Sequence, residues 1–556
     1  MVNGYRAPGA GGIGRRVPRL LSVALAASFG AALAQQAPAP AAPAAAASPA
    51  PAPLAPAPEP VFDIKGFQVT GDNPLGDAET ARILQPFQRS GATMNTLQQA
   101  TSALETALRN RGYGLHRVAL PPQEIGDTVR LEIVTFTISK VEIEGRTIYD
   151  EDNIRRTLPE LKEGTTPNFR RLAIQTAIAN ENPNKQVQLG IREGDEPDKI
   201  DATLTVRELR PWTFGVSGSN AGSKASGRDR ITVSGGHTNL FNRDHQFNAA
   251  YTTSIEQTSD VSQMGLTYRV PLYELGGVIG ASFTRSTVIG NFGIFSSTGA
   301  GRTMGLNYTA YLPPEGGRRT YVLFGIDDKV FNASKINDVV VPGALDRRSR
   351  PIVVGYNAKI ESDTATWGYD FNVAMNTGTG TGNDLAAYRS EDVRVTRVNW
   401  KAVRGGFNYA APFNEDWLVS FRVLYQYSPD VLISGEQFGI GGTGSVRGTK
   451  TERPVSGDKG VSGVMEVTTP ELGGGIRMVG FLDAGWLANN NPNGLNKPSS
   501  DRLLGYGLGL RFAVGSFLMS ADWGRLLLGS RVPLTVNTAS PQRGDSKLYV
   551  NAALRF

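Results

Sequence analysis

The chain of 556 residues contains no cysteine, which excludes disulfide staples and thiolate metal sites. Histidine is almost as scarce: His116, His237 and His245 complete the set, and only the last two are near each other. Such a sparse set suggests neither a metal centre nor a catalytic triad, and no Gly-x-Ser-x-Gly elbow occurs. No catalytic residue, metal or cofactor is therefore expected. Charged residues make up only 19%, and the formal net charge of +6 is inflated by arginines crowded into the first twenty residues. A basic pI of that origin gives no reason to expect a nucleic-acid partner. After residue 34 no run of eighteen apolar residues is present, so membrane-spanning helices are not expected either.

What is present is two-residue alternation. At the carboxy terminus Leu548, Val550, Ala552, Leu554 and Phe556 alternate with Tyr549, Asn551, Ala553 and Arg555. This gives one apolar and one more polar face over about the ten residues that a tilted strand needs to cross a bilayer. The same texture recurs in Trp367–Ala374, Trp417–Tyr427 and Leu504–Phe512, and near a dozen further aromatic or aliphatic positions. The expected fold is a transmembrane β-barrel of about sixteen antiparallel strands, one of them weak. Modest hydrophobicity (40%) and abundant glycine (65 residues) suit a wall of which only alternate residues face lipid.

At the other end, Arg6, Arg15, Arg16 and Arg19 precede an apolar stretch, Leu20–Leu33, and a small-x-small site, Ala32-Leu33-Ala34. Residues 1–34 read as a cleaved secretory signal, and export without helical spans points to the outer membrane of a Gram-negative bacterium. Residues 35–60, nearly all Ala and Pro, cannot build a core and read as an extended tether. Residues 61–137 and 138–210 each follow the order strand, helix, helix, strand, strand. Two small α/β repeats are expected, with one mixed α/β domain as the alternative. In the first, the helix Thr96–Arg111 is expected to be capped by Asn95 and stopped at Gly112. From Pro211 to Phe556 helix-period patterns give way to strands.

A glycine-rich tract interrupts them at about residues 428–460, with Ile440-Gly441-Gly442-Thr443-Gly444-Ser445-Val446-Arg447-Gly448-Thr449 at its centre. It is not a phosphate-binding loop, because Thr449 stands where that motif needs Lys and no strand-to-helix context follows. The next strong strand carries Phe481-Leu482-Asp483-Ala484-Gly485, in which alternation sends Phe481, Asp483 and Gly485 into the lumen. An inward carboxylate on a partly desolvated wall needs a cation, and Arg447 on an inward-folding loop would supply one in bidentate geometry. Pattern alone leaves equally open a solvated loop arginine and a separate lumen aspartate.

Taken together and in order, these segments resemble the two-partner secretion transporters. These are the outer-membrane haemolysin/haemagglutinin secretion-activation proteins, within the superfamily of barrels preceded by polypeptide-transport-associated (POTRA) domains. Leu120-Pro121-Pro122-Gln123 looks like the family signature in the first POTRA. Asn182-Pro183 through Gly194 and Arg210-Pro211-Trp212 resemble the second POTRA and its junction with the barrel. Ser219-Asn220-Ala221-Gly222-Ser223, with Gly227 and Arg230, resembles the first-strand motif. Val446-Arg447-Gly448 resembles the core of the sixth-loop motif, and Phe481 to Gly485 the strand that receives it. Two departures stand out: Thr449 replaces the family's usual aromatic residue, and the Ala/Pro tract is unlike the helical plug of some members.

The resemblance implies export of a large secreted partner protein, docked unfolded on periplasmic POTRA domains and threaded through the barrel. It further implies that Arg447 and Asp483 hold the sixth loop in the lumen. A terminal Phe556 would serve as the signal read by the barrel-assembly machinery. Outer-membrane lipid would surround the wall. A barrel-assembly factor of the same superfamily is the alternative, though such proteins generally carry more periplasmic repeats than the two that fit here.

Overall fold

A computed structural model of the protein describes residues 60–556, apart from positions 125, 225, 337, 338 and 415. The expected signal and all but the last residue of the Ala/Pro tract lie outside the described residues.

Two α/β units of the same design come first. In one, β1 (Gly66–Gly71) pairs parallel with β3 (Thr128–Thr135), and β2 (His116–Ala119) pairs antiparallel with the other side of β3. Helices α1 (Asp77–Leu84) and α2 (Met94–Asn110) pack on this sheet. Leu97, Ala100, Leu104 and Leu108 recur at helical spacing along α2 and are fully buried against Val129, Leu131 and Ile133. Burial of each such leucine contributes about 1.5–3 kcal/mol. The cap of α2 differs from expectation. Thr93, not Asn95, occupies the cap, and the Thr96 hydroxyl accepts the Thr93 backbone N–H at 3.1 Å. Two reciprocating hydroxyls at that spacing outcompete an amide already inside the first turn.

The second unit repeats the topology, with β4 (Thr137–Glu144) parallel to β6 (Lys199–Glu208) and β5 (Lys185–Glu193) antiparallel to it. Helices α3 (Glu151–Thr157) and α4 (Phe169–Ala179) start at Asp150 and Asn168, whose side chains accept backbone N–H groups of their first turns. Its core does not end at the domain edge. Tyr273, Val278 and Tyr311 from the barrel join Ile154, Leu172, Ile178 and Val206 in one buried cluster.

The barrel closes through sixteen long antiparallel strands among the described residues. The weak strand is the first, Trp212–Ser219, short and glycine-containing; it meets the last, Ser546–Arg555, from Gly215↔Arg555 to Ser219↔Asn551. Phe556 extends this seam by exchanging backbone hydrogen bonds with Phe214 (2.9 and 3.2 Å). Asn220 extends it at the other end, donating to the Leu548 carbonyl (2.7 Å) and accepting the Val550 N–H (2.9 Å). The strand Ile476–Ala488 illustrates how the wall is built. Leu482 and Trp486 are nearly half exposed on the outer surface, while Phe481, Asp483 and Leu487 are buried on the inner one. An α-helix, α5 (Leu385–Glu391), interrupts the strand region where none was expected. Asp384 caps it, and its seven residues are too few to show a period.

Candidate functional site

The strands Trp417–Tyr427 and Lys459–Thr468 pair directly, and the thirty-odd residues between them fold inward. Val431, Leu432 and Ile433 are buried with Tyr388 and Trp400. A short hairpin, Phe438–Ile440 with Val455–Gly457, then carries the glycine-rich tip. Val446 is fully buried with Ile440, Leu487, Leu503 and Leu526, which seats the tip against the inner wall. Gly448 adopts φ +107°, a conformation that a side chain would strain.

Arg447 is 5% exposed and Asp483 not at all. The guanidinium donates from Nε to Oδ2 at 2.7 Å and from a terminal nitrogen to Oδ1 at 2.8 Å, and the Arg447 backbone N–H adds a third bond at 3.0 Å. This is a bidentate, charge-assisted clasp. Phe481 stacks beneath it, its ring centre 3.4 Å from the guanidinium carbon. Gly485 leaves room for Ile440, since an added Cβ would lie 3.0 Å from that side chain. The structure thus brings Val446, Arg447, Gly448, Phe481, Asp483 and Gly485 together.

It also adds residues that the sequence pattern did not single out. Glu466 accepts from Arg447 at 2.6 Å, and Asp522 lies 3.6 Å away while holding Arg511 in two bonds of 2.6 and 3.1 Å. Two cations therefore face three carboxylates. The Tyr549 hydroxyl accepts the Gly448 N–H (3.2 Å) and donates to the Thr449 carbonyl (2.6 Å), tying the tip to the last strand.

Leu120, Pro121, Pro122 and Gln123 lie apart from this cluster, in the first α/β unit. The two prolines cannot donate to a ladder, so the pairing of β2 with β3 stops there. The Gln123 amide takes over, donating to the Arg130 carbonyl and accepting its N–H, both at 2.7 Å. Leu120 packs against the first core. Phe556 sits on the seam, its side chain 73% exposed.

Residues 198–512, more than half of the chain, match the family described as haemolysin secretion/activation protein ShlB/FhaC/HecB. The chain belongs to this family. Residues 62–135 separately match the POTRA domain of ShlB type. Outer membrane transporter CdiB of Escherichia coli is 25% identical over 496 residues, spanning 84% of this chain and 80% of that one. Its counterpart in Dickeya dadantii (strain 3937) is 23% identical over 443 residues, 78% and 77% of the two chains. The solved structure of CdiB from Escherichia coli shares the fold with a TM-score of 0.70 at 21% identity, covering 91% and 93%. As a family member, the chain is an outer-membrane transporter for a secreted partner protein, with its POTRA domains on the periplasmic side.

Proposed function

We propose that the POTRA domains capture the partner as an unfolded chain in the periplasm and pass it through the lumen. The inward loop, clasped by Arg447 and Asp483, sets the conformation in which passage occurs. The flanking strands of both sheets offer backbone groups for β-augmentation; β5 is an edge whose distal half, including Ile191, is exposed. Folding of the product outside favours forward movement, since nothing in the sequence resembles an ATPase. Lipid contacts the outward apolar set, and the barrel-assembly machinery reads the terminal strand ending at Phe556. The boundaries at residues 61–137, 138–210 and 211–556 are those we assign to the two POTRA domains and the barrel.

The observation that carries this reading is a glycine-rich loop folded back into the lumen and held by a buried ion pair. Depletion of the protein tests it. Loss of one secreted protein from the medium, with other outer-membrane proteins at normal levels, supports export. Loss of many outer-membrane proteins would instead support an insertase.

A further inference from the structure

Besides Asp458 at its exit, the loop carries another buried charge, eleven residues before Arg447 and of opposite sign. Glu436, 2% exposed, ends a single helical turn, Ser434–Glu436, on the limb that enters the lumen. Its carboxylate accepts from Arg404 at 2.8 Å and from the Ser349 hydroxyl at 3.0 Å, and Lys329 lies 3.2 Å away. Its backbone carbonyl accepts from Arg404 (3.1 Å) and from Gln426 (3.0 Å), which in turn accepts the Arg404 Nε at 2.8 Å. Lys329, Ser349, Arg404 and Gln426 come from separate barrel segments, none of which contributes to the Arg447 cluster.

The geometry points to Glu436 as a second positioning residue for the translocation loop. The loop presents an acid to a basic stretch of wall and a base to an acidic stretch. Gly439, Gly441, Gly442 and Gly444 lie between the two anchors. Two centres of opposite polarity fix where along the wall the loop docks, because a shifted or reversed loop would bring like charges together in a desolvated lumen. One centre alone would hold the tip or the entering limb, but not both. The glycines between are free to move once either is released. This inference rests on the export reading above and adds a residue to it.

The test uses the full-length protein in the outer membrane and in planar bilayers. Glu436→Arg is expected to keep heat-modifiable gel mobility, to lower partner secretion by about tenfold or more, and to raise channel conductance. Glu436→Arg combined with Arg404→Glu is expected to recover most of the secretion, which a generally damaged barrel would not. Glu436→Ala, a smaller change, serves if the reversal does not assemble, and the same loss and rise are expected. Wild-type secretion with wild-type conductance in the assembled single variants, or no recovery in the swap, overturns the inference. Arg447→Ala run in parallel separates the two claims: normal secretion there removes the export role of the loop, whereas normal secretion in the Glu436 variants alone removes only the second anchor.

Discussion

Lys185 and Asp244 meet in the seam between the second POTRA domain and the barrel, each side chain almost without exposed surface. Asn153 and Thr157 of α3 accept from the same ammonium at 2.9 and 3.0 Å, and Tyr273 donates to the carboxylate at 2.8 Å. Asp244 sits in the turn before the strand His245–Thr253 at φ +57°, and Phe241 and Asn242 in that turn also have positive φ. Strain of this kind persists only where the surroundings over-determine the backbone. The partners here do so: Asn153 donates to the Asn242 carbonyl at 3.0 Å, and the Asp244 N–H donates to Asn239 at 3.0 Å.

Removing one partner of this pair leaves the other charge buried and alone. Lys185→Met is expected to destabilise the junction by about 3–5 kcal/mol. Faster protease cleavage between residues 138 and 210 in urea would report it. Adding Asp244→Leu is expected to return most of the resistance, because a matched apolar pair carries no desolvated charge. Unchanged cleavage in Lys185→Met would show that the seam does not depend on the pair.

The tip of the loop approaches the wall closely at Gly524. An added Cβ there would lie 2.9 Å from the Gly448 nitrogen and 3.0 Å from the Arg447 Cβ. Gly524→Ala is expected to push the tip from its seat and to reproduce the secretion defect of Arg447→Ala with every charged residue in place. Conductance and secretion together check this, and wild-type values in both would contradict it.

His116 is buried under the first POTRA sheet, beside Tyr113, with exposed Asp72 at 3.6 Å as its nearest charge. Burial pushes its imidazole below the usual value, and Asp72 only partly opposes this. The unfolded chain therefore binds a proton more readily than the folded domain. Stability is complete above about pH 6.5, the unfolded value, and falls as pH drops below it toward the lower folded value. Pulse proteolysis within residues 62–135 is expected to show greater sensitivity at pH 5.5 than at 7.5, and His116→Leu to flatten the difference. Equal pH dependence in the variant would contradict the assignment.

Much of this architecture is legible in the residues because a membrane wall imposes a strict period. Alternation in Ile476–Ala488 sends Asp483 inward without any structural input, and glycine content marks the loop that reaches it. Glu466 and Asp522 also alternate with outward Met465 and Trp523, so their inward direction was available. What was missing was register. Glu466 lies opposite Phe481 and Asp522 opposite Gly509, and those pairings join strands whose offsets no local pattern specifies. Glu436 and Lys185 were hidden for a related reason, since a lone charge in a loop or on an edge strand looks solvated until its distant partners are placed. The cap at Thr93 turns on one or two residues and helix α5 on only seven, too few for periodicity to resolve.

On the proposed function, the Arg447–Asp483 clasp sets the working conformation of an export barrel. The most direct measurement is the distribution of the partner between periplasm and medium in cells carrying Arg447→Ala, with heat-modifiable mobility confirming the barrel. The expected result is an assembled barrel, the partner retained inside, and partial return of secretion when Arg447→Asp is combined with Asp483→Arg. An assembled Arg447→Ala barrel that releases the partner at the wild-type level would contradict it.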